Sequence, residues 1–165
     1  LLVLAANPCA CGFAGDPVEK CVCSAAELDR YRRKLSGPIL DRIDLQIAVP
    51  RLTPEELLSF SGGAESSAAI RSRVVRAREV QQRRWTPFGL SCNAELPEKL
   101  VRRHLELSAE SRDYLAGMAG RLKLSGRGIS RVLKVARTIA DLAGEPSIRT
   151  PHLAEALMYR QGNAP

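Results

Sequence analysis

The sequence predicts an α/β segment followed by an all-α region. Three patterns support this prediction. The apolar run Leu1–Ala6 is typical of a strand buried on both faces, the alternation over Ile43–Val49 is typical of a strand with one buried face, and helical periodicity continues beyond Ser66. We place the domain boundary near the glycine-rich break Ser61–Ala64. Residues 1–60 should therefore form the C-terminal part of a parallel-sheet core with a cysteine-rich insert, and residues 61–165 a helical bundle.

The composition restricts the possible functions. The 165 residues are 45% hydrophobic and 26% charged, which suits a packed core and not a disordered chain. The net charge of +7 favours a polyanionic partner such as DNA, although solvated arginines are the simpler explanation of the charge alone. Aromatic residues make up only 4%, which argues against a base-stacking surface. Because no apolar run reaches the length of a membrane span and no signal peptide is recognisable, we expect no membrane association and a cytoplasmic location.

The chain begins without methionine, directly in an apolar run. We expect it to be a fragment, with earlier strands of the sheet preceding Leu1. An unpaired strand at that edge would otherwise promote aggregation.

Four cysteines form two Cys-x-Cys pairs within a short loop rich in glycine, aspartate and proline: Cys9, Cys11, Cys21 and Cys23. Without a secretory signal, disulfides are disfavoured, and four thiolates suit tetrahedral Zn²⁺. Cys-x-Cys is less usual than Cys-x-x-Cys, so free or redox-active thiols remain the alternative. A Zn²⁺ ion held by all four would be structural, because no coordination position stays open for catalysis.

Periodicity and capping signals predict seven helices. They are Ser24–Leu35, with Ser24 and Glu27 as a capping box, Glu55–Phe60, Ser66–Trp85, Glu98–Leu105, Ser108–Leu122, about Gly128–Ala143, and Thr150 to about Arg160.

The helix Ser66–Trp85 carries six arginines against the single acid Glu79. Arg73, Arg76 and Arg84 are candidate contacts to a nucleic-acid backbone. A solvated amphipathic helix explains the same pattern equally well. On the Gly128–Ala143 helix, Arg131 and Arg137 should lie off the apolar face.

Asn7 and Arg42 occupy positions from which a side chain could contact a ligand. Asn7 directly follows the first predicted strand, at the strand end where open α/β sheets bind ligands, although a residue before Pro8 is also an ordinary turn former. Arg42 lies in Ser36–Leu45, where Gly37-Pro38 should break the preceding helix and four apolar residues should pin the segment to a core: Ile39, Leu40, Ile43 and Leu45. Without further information, the simplest partner for Arg42 is Asp41 or Asp44.

Four segments, LLVLAANPCACG, SGPILDRIDLQIAVP, ISRVLKVARTIADLAG and HLAEALMYR, resemble AAA+ proteins of the Mg-chelatase-like group, particularly the YifB/ComM competence-associated subgroup. The resemblance extends over nearly the whole chain. It implies the end of an AAA+ core followed by a helical lid, in an ATPase that uses ATP and Mg²⁺, forms a homo-hexameric ring and acts on DNA during branch migration and natural transformation.

The same resemblance assigns roles to three residues. Asn7 matches sensor 1, which orients the attacking water. Arg42 matches the arginine finger, which reaches the nucleotide of a neighbouring subunit. Arg131 matches sensor 2, which contacts the γ-phosphate from the lid, with Arg127 as a nearby rival.

The chain contains no G-x-x-x-x-G-K-[ST] motif and no acidic strand end for Mg²⁺. Both should lie upstream of Leu1, so this chain alone should not hydrolyse ATP. Two other functions remain open: a chelatase subunit that drives metal insertion into a tetrapyrrole, and a zinc-stapled nucleic-acid-binding module without catalysis.

Overall fold

Eight α-helices and two 3₁₀ turns, but no strand, occur in the residues that the computed structural model describes, which are 2–34, 37–40, 42–58 and 65–160. The chain divides into two compact units, one formed by residues 1–60 with 162–165 and the other by residues 61–161.

Short helices and irregular backbone make up the first unit. The helices are α1 (Ala25–Lys34), α2 (Gly37–Leu40) and α3 (Pro54–Leu58). The capping box at α1 forms as predicted: the backbone N–H and the hydroxyl of Ser24 each donate to the Glu27 carboxylate over 2.8 Å, and the Glu27 N–H donates to Ser24 Oγ over 3.3 Å. This local exchange satisfies donors that the first helical turn leaves without intrahelical partners.

The two predicted strands are not observed within the described residues. Residues 2–7 and 45–50 belong to no helix or strand, and the side chains of Val3 and Val49 are 79% and 87% exposed. A strand needs a hydrogen-bonded neighbour and a covering layer. Neither occurs in the described part of this unit, so the parallel-sheet core predicted from these two patterns is not observed.

The segment around Arg42 also differs from the prediction. Helix α1 ends at Lys34, ahead of Gly37-Pro38 as predicted, and Gly37 and Pro38 then begin the separate one-turn helix α2, since proline is tolerated in a first helical turn. Ile39 and Leu45 are 43% and 47% exposed, so they do not anchor the segment in a core. Ser36 and Asp41 lie outside the described residues.

The second unit is a helical bundle. Its elements are α4 (Ser67–Trp85), the 3₁₀ turns Thr86–Phe88 and Asn93–Glu95, α5 (Glu98–His104), α6 (Ala109–Arg121), α7 (Gly126–Leu142) and α8 (Thr150–Met158). Helix α7 packs against α4, α5 and α8. The core that they enclose includes Trp85, Leu96, Val101, Leu115, Val132, Ala136, Leu153 and Leu157.

Serine caps set where three of these helices begin. Ser66, Ser108 and Ser125 each accept a hydrogen bond from the backbone N–H three residues later. Because Ser125 caps it, α7 begins two residues before the predicted start, and Gly144, with φ of +73°, follows its end. Thr150 followed by Pro151 suggests Thr150 as the N-cap of the last helix. The structure instead has Arg149 at the N-cap of α8, where its N–H donates to Nδ1 of His152 over 3.0 Å.

Only the C-terminal half of α4 is buried. Ala77, Gln81 and Trp85 face the core, whereas Ile70 and Val74, which helical periodicity places on the same stripe as Ala77 and Gln81, are 42% and 45% exposed. The first turns of α4 therefore present arginines and aliphatic side chains together on an open surface.

Candidate functional site

The four cysteines of the first unit come together in one cluster, as the sequence predicts. Sγ of Cys9 lies 3.3 Å from Sγ of Cys11 and 3.7 Å from Sγ of Cys21, and the Cys11 and Cys21 sulfurs are 3.6 Å apart. All four sulfurs, including that of Cys23, lie within 4.8 Å of one another. These separations exclude S–S bonds, which require about 2.05 Å.

The loop backbone turns tightly around Cys9. The Gly12 N–H donates to the carbonyl of Cys9 over 3.1 Å, and the Ala14 N–H donates to Cys9 Sγ over 3.3 Å. Gly12 adopts φ of +88° and Gly15 φ of +80°, a conformation that side-chain-bearing residues rarely adopt. An N–H directed at a cysteine sulfur stabilises a thiolate more than a thiol.

The pKa values of two thiols in the cluster are shifted in opposite directions. Backbone hydrogen bonds at Phe13 and Val22, with the thiol of Cys9, lower the pKa of Cys11 from 9.0 to about 6. A backbone hydrogen bond at Cys11 opposes the shift at Cys23, but the neighbouring thiols and burial raise the pKa of Cys23 to about 12. The surroundings of Cys11 therefore favour its thiolate, whereas those of Cys23 favour its thiol, and a metal bound by both would require each to be deprotonated.

The sulfur positions fit a tetrahedral metal. A Zn–S distance of about 2.3 Å places the four sulfurs of a tetrahedron about 3.8 Å apart. The observed 3.3, 3.6 and 3.7 Å lie close to that spacing. The cluster can thus accept one four-coordinate soft cation with small adjustments of the side chains.

Asn7 lies two residues before the cluster. Its side chain is exposed, and its backbone carbonyl accepts a 2.9 Å hydrogen bond from the hydroxyl of Tyr31 on α1. Sequence reasoning missed Tyr31, because a contact across 24 residues leaves no local pattern.

Asp16 links the cysteine loop to a distant part of the same unit. Its carboxylate accepts the N–H groups of Val18 and Glu19, both over 2.8 Å, and lies 3.6 Å from the guanidinium of Arg51. The two backbone hydrogen bonds, followed by Arg51, lower the pKa of Asp16. The Gly-Asp-Pro sequence signals a turn here, but it does not identify Arg51 as the partner.

Arg42 follows α2 in a tight turn. Its backbone N–H donates to the carbonyl of Ile39 over 2.9 Å, the next N–H donates to Leu40 over 3.1 Å, and Gln46 Nε2 also reaches the Leu40 carbonyl, over 3.2 Å. The backbone is held on both sides of Arg42, and its side chain is exposed.

Arg131 and its rival Arg127 both lie near the N-terminus of α7, in the second unit. Arg127 is exposed and Arg131 is half-buried. A spacing of four residues places both on the same side of the helix.

The arginines of α4 divide into two groups. Arg73 pairs with Glu65 over 2.6 Å and Arg76 donates to Ser72 over 3.1 Å, both at the surface. Arg84 differs from them, because it binds the buried Asp141 with two hydrogen bonds of 2.7 and 3.0 Å. Arg84 is therefore a weaker candidate for contact with DNA than Arg73 and Arg76.

Asp141 is the centre of a buried polar network that the sequence did not indicate. Arg137, predicted to lie off the core face, is buried and donates to Asp141 over 3.1 Å and to the Pro146 carbonyl over 2.9 Å. Asn93 donates to Asp141 over 2.9 Å and accepts from the Trp85 indole over 2.8 Å. Among the described residues, no buried side-chain nitrogen or oxygen lacks a partner. The i, i+4 spacing of Arg137 and Asp141 is the one sequence pattern that could have suggested their ion pair.

In the described parts of the chain, no helix combines the length and apolar character required to cross a membrane.

Sequence comparison identifies the family. Residues 1–57 match the profile described as magnesium chelatase, subunit ChlI, and residues 64–160 match that of magnesium chelatase, subunit ChlI C-terminal. The chain belongs to this family, and the resemblance inferred from the sequence is confirmed.

Individual relatives agree with this assignment. An uncharacterized protein of Mycobacterium tuberculosis is 44% identical over 163 residues, which are 99% of this chain and 32% of that protein. Competence protein ComM of Haemophilus influenzae is 43% identical over 137 residues, 83% of this chain and 26% of ComM. YifB of Escherichia coli is 38% identical over 159 residues, 96% of this chain and 30% of YifB. The matched part of the chain thus spans between about a quarter and a third of the length of these relatives.

Proposed function

We propose that the chain is the C-terminal portion of an AAA+ ATPase of the YifB/ComM type, which hydrolyses ATP with Mg²⁺ as a cytoplasmic homo-hexamer and moves DNA. The observation that carries this proposal is the match to both magnesium chelatase profiles, in order, over residues 1–57 and 64–160. The likeness to ComM, a protein named for competence, favours DNA over a tetrapyrrole as the substrate.

In this proposal, the chain contributes groups that act on a nucleotide held by other parts of the ring. Catalysis of phosphoryl transfer depends mainly on positioned cations that neutralise charge on the transferred group. Mg²⁺ would supply part of that charge. Asn7 would orient the attacking water, Arg42 would reach the nucleotide of the neighbouring subunit, and Arg131 would contact the γ-phosphate. The held backbone and exposed side chain of Arg42 suit a group that acts on another molecule.

The direct test uses the longer protein that this proposal requires, in which a P-loop would precede this chain. We expect ATP hydrolysis that DNA stimulates, in particles of hexameric mass. Absence of any ATPase, together with salt-dependent DNA binding, would instead support the nucleic-acid-binding module. Hydrolysis that responds to a porphyrin and not to DNA would support a chelatase subunit.

Arg127 and Arg131 can be separated by substitution in the same longer protein. We expect Arg131→Ala to lower kcat by about 10- to 100-fold, since a hydrogen bond to a charged group contributes about 1.5–3 kcal/mol. Arg127→Ala, the matched control one helical turn away, should lower kcat by less than about threefold. Steady-state ATPase assays of the two variants decide the assignment, and the reverse order would transfer the sensor role to Arg127.

The basic face of α4 predicts a measurable salt dependence. Replacing both Arg73 and Arg76 by glutamine should weaken DNA binding and reduce the slope of log K against log salt by about 2, because each lost phosphate contact removes about 0.9. Arg102 is the control, since it also forms an exposed 2.6 Å ion pair, with Glu98, but lies on α5. Fluorescence anisotropy at several salt concentrations measures the slope. An unchanged slope in the Arg73/Arg76 variant would remove α4 from the DNA-binding surface.

A further inference from the structure

The first unit has almost no apolar core of its own. Among its described residues, Cys9 is the one buried residue, at 1% exposure, whereas Val18 and Val22 are 75% and 82% exposed. A loop that buries so little apolar surface gains little stability from the hydrophobic effect, and small structures of this kind depend on a disulfide or a metal. The sulfurs are too far apart for disulfides, whereas their spacing suits a bound metal.

We propose that Cys9, Cys11, Cys21 and Cys23 bind one Zn²⁺ ion, and that the metal-bound loop braces the Asn7 segment, α1 and the Arg51 segment into one piece. The sulfur spacings suit tetrahedral coordination, and four cysteine ligands leave no open position, which defines a structural site. The N–H of Ala14 directed at Cys9 Sγ provides an outer hydrogen bond of the kind that stabilises metal-bound thiolates.

The contacts of the cysteine loop identify the segments that a bound metal would hold together. The chain leaves the cluster at Cys9 toward Asn7, whose carbonyl is bound by Tyr31, and at Cys23 toward Ser24, the cap of α1. Asp16, at the middle of the loop, pairs with Arg51. The loop therefore contacts the segment before it, the helix after it and the end of the irregular stretch that follows Arg42. The consequence for Asn7 as a sensor rests on the proposed function, whereas metal binding does not.

Metal analysis of the purified 165-residue chain tests the site without any nucleotide. We expect about one zinc ion per chain, and a cobalt-substituted form with the visible absorption of a tetrahedral thiolate complex. Cys23→Ser should lose at least about nine-tenths of the metal. Cys92→Ala is the matched control, because Cys92 is a buried cysteine of the second unit and should leave the zinc content unchanged. A metal-free wild-type chain that gives no cobalt spectrum, or full zinc retention in Cys23→Ser, would overturn the site.

Hydrogen exchange tests the bracing role. The amides of Ala14, Val18 and Glu19 donate hydrogen bonds within the loop, so they should exchange slowly with zinc bound and at least about tenfold faster after chelation. The α7 amides of the second unit provide the internal control and should not change. If chelation removes the zinc but leaves loop exchange unchanged, the brace is refuted. If the longer protein shows no ATPase while the zinc and exchange results hold, only the proposed function fails.

Discussion

Replacing Arg42 by alanine in the longer protein is expected to lower kcat for ATP hydrolysis by roughly 10³-fold or more, with little change in KM for ATP. An arginine finger acts on charge that develops in the transition state, so its loss affects turnover more than ground-state binding. The turn that holds the Arg42 backbone depends on main-chain hydrogen bonds at Arg42 and Ile43, so alanine should leave the local fold intact.

A control variant and a subunit-mixing experiment test the assignment of Arg42 further. Arg33→Ala is the control, because Arg33 is an exposed arginine of the same unit that pairs with Asp29 on α1. Mixing Arg42→Ala subunits with subunits that lack the P-loop lysine should restore part of the activity, since the two defects then lie in different subunits of one ring. Wild-type turnover by Arg42→Ala would refute its assignment as the finger, and failure of the mixture to recover activity would refute action between subunits.

Replacing Asp141 by alanine is expected to destabilise the second unit by about 3–5 kcal/mol, the usual cost of removing one partner from a buried ion pair. The Asp141 side chain is fully buried, and its loss leaves Arg137 without its acid, Arg84 without both of its hydrogen bonds and Asn93 without one acceptor. Burial lowers the pKa of Arg137 and Asp141 opposes that effect, so removal of Asp141 leaves the buried guanidinium in surroundings that disfavour its charge. Thermal unfolding should show a fall in Tm of at least about 10 °C.

The matched control is Asp113→Ala, which removes an exposed aspartate of α6 in the same unit and should change Tm by no more than a few degrees. The double variant Asp141→Leu with Arg137→Met should recover part of the lost stability, because a well-packed apolar pair often replaces a buried ion pair at little cost. Equal Tm values for Asp141→Ala and the wild type would contradict the central place of Asp141.

The features that could be predicted from the sequence are those that depend on neighbouring residues. The starts of α1, α4 and α6 follow from a serine side chain that accepts an N–H three residues away, and this chemistry is visible in a few letters. The four-cysteine cluster was predictable for a similar reason, since its members lie within a single loop.

The features that could not be predicted depend on distant partners. Arg84 and Asp141 are 57 residues apart, and nothing near Arg84 distinguishes it from the surface arginines of the same helix. The apolar runs at residues 2–6 and 43–49 are suited to strands, but extended backbone becomes a sheet only when another strand pairs with it. Asn7, Arg42 and Arg131 keep their predicted roles as proposals, since those roles require a nucleotide and a second subunit.

Helix α7 has a mechanical consequence for the second unit. Its 17 residues extend over about 25 Å, with Arg127 and Arg131 near one end and Asp141 near the other. The ion pair between Asp141 and Arg84 fastens that far end to α4, so α7 can act as a stiff lever in place of a flexible link. A tilt of about 5° at the arginine end would displace the fastened end by about 2 Å and pull α4 with it.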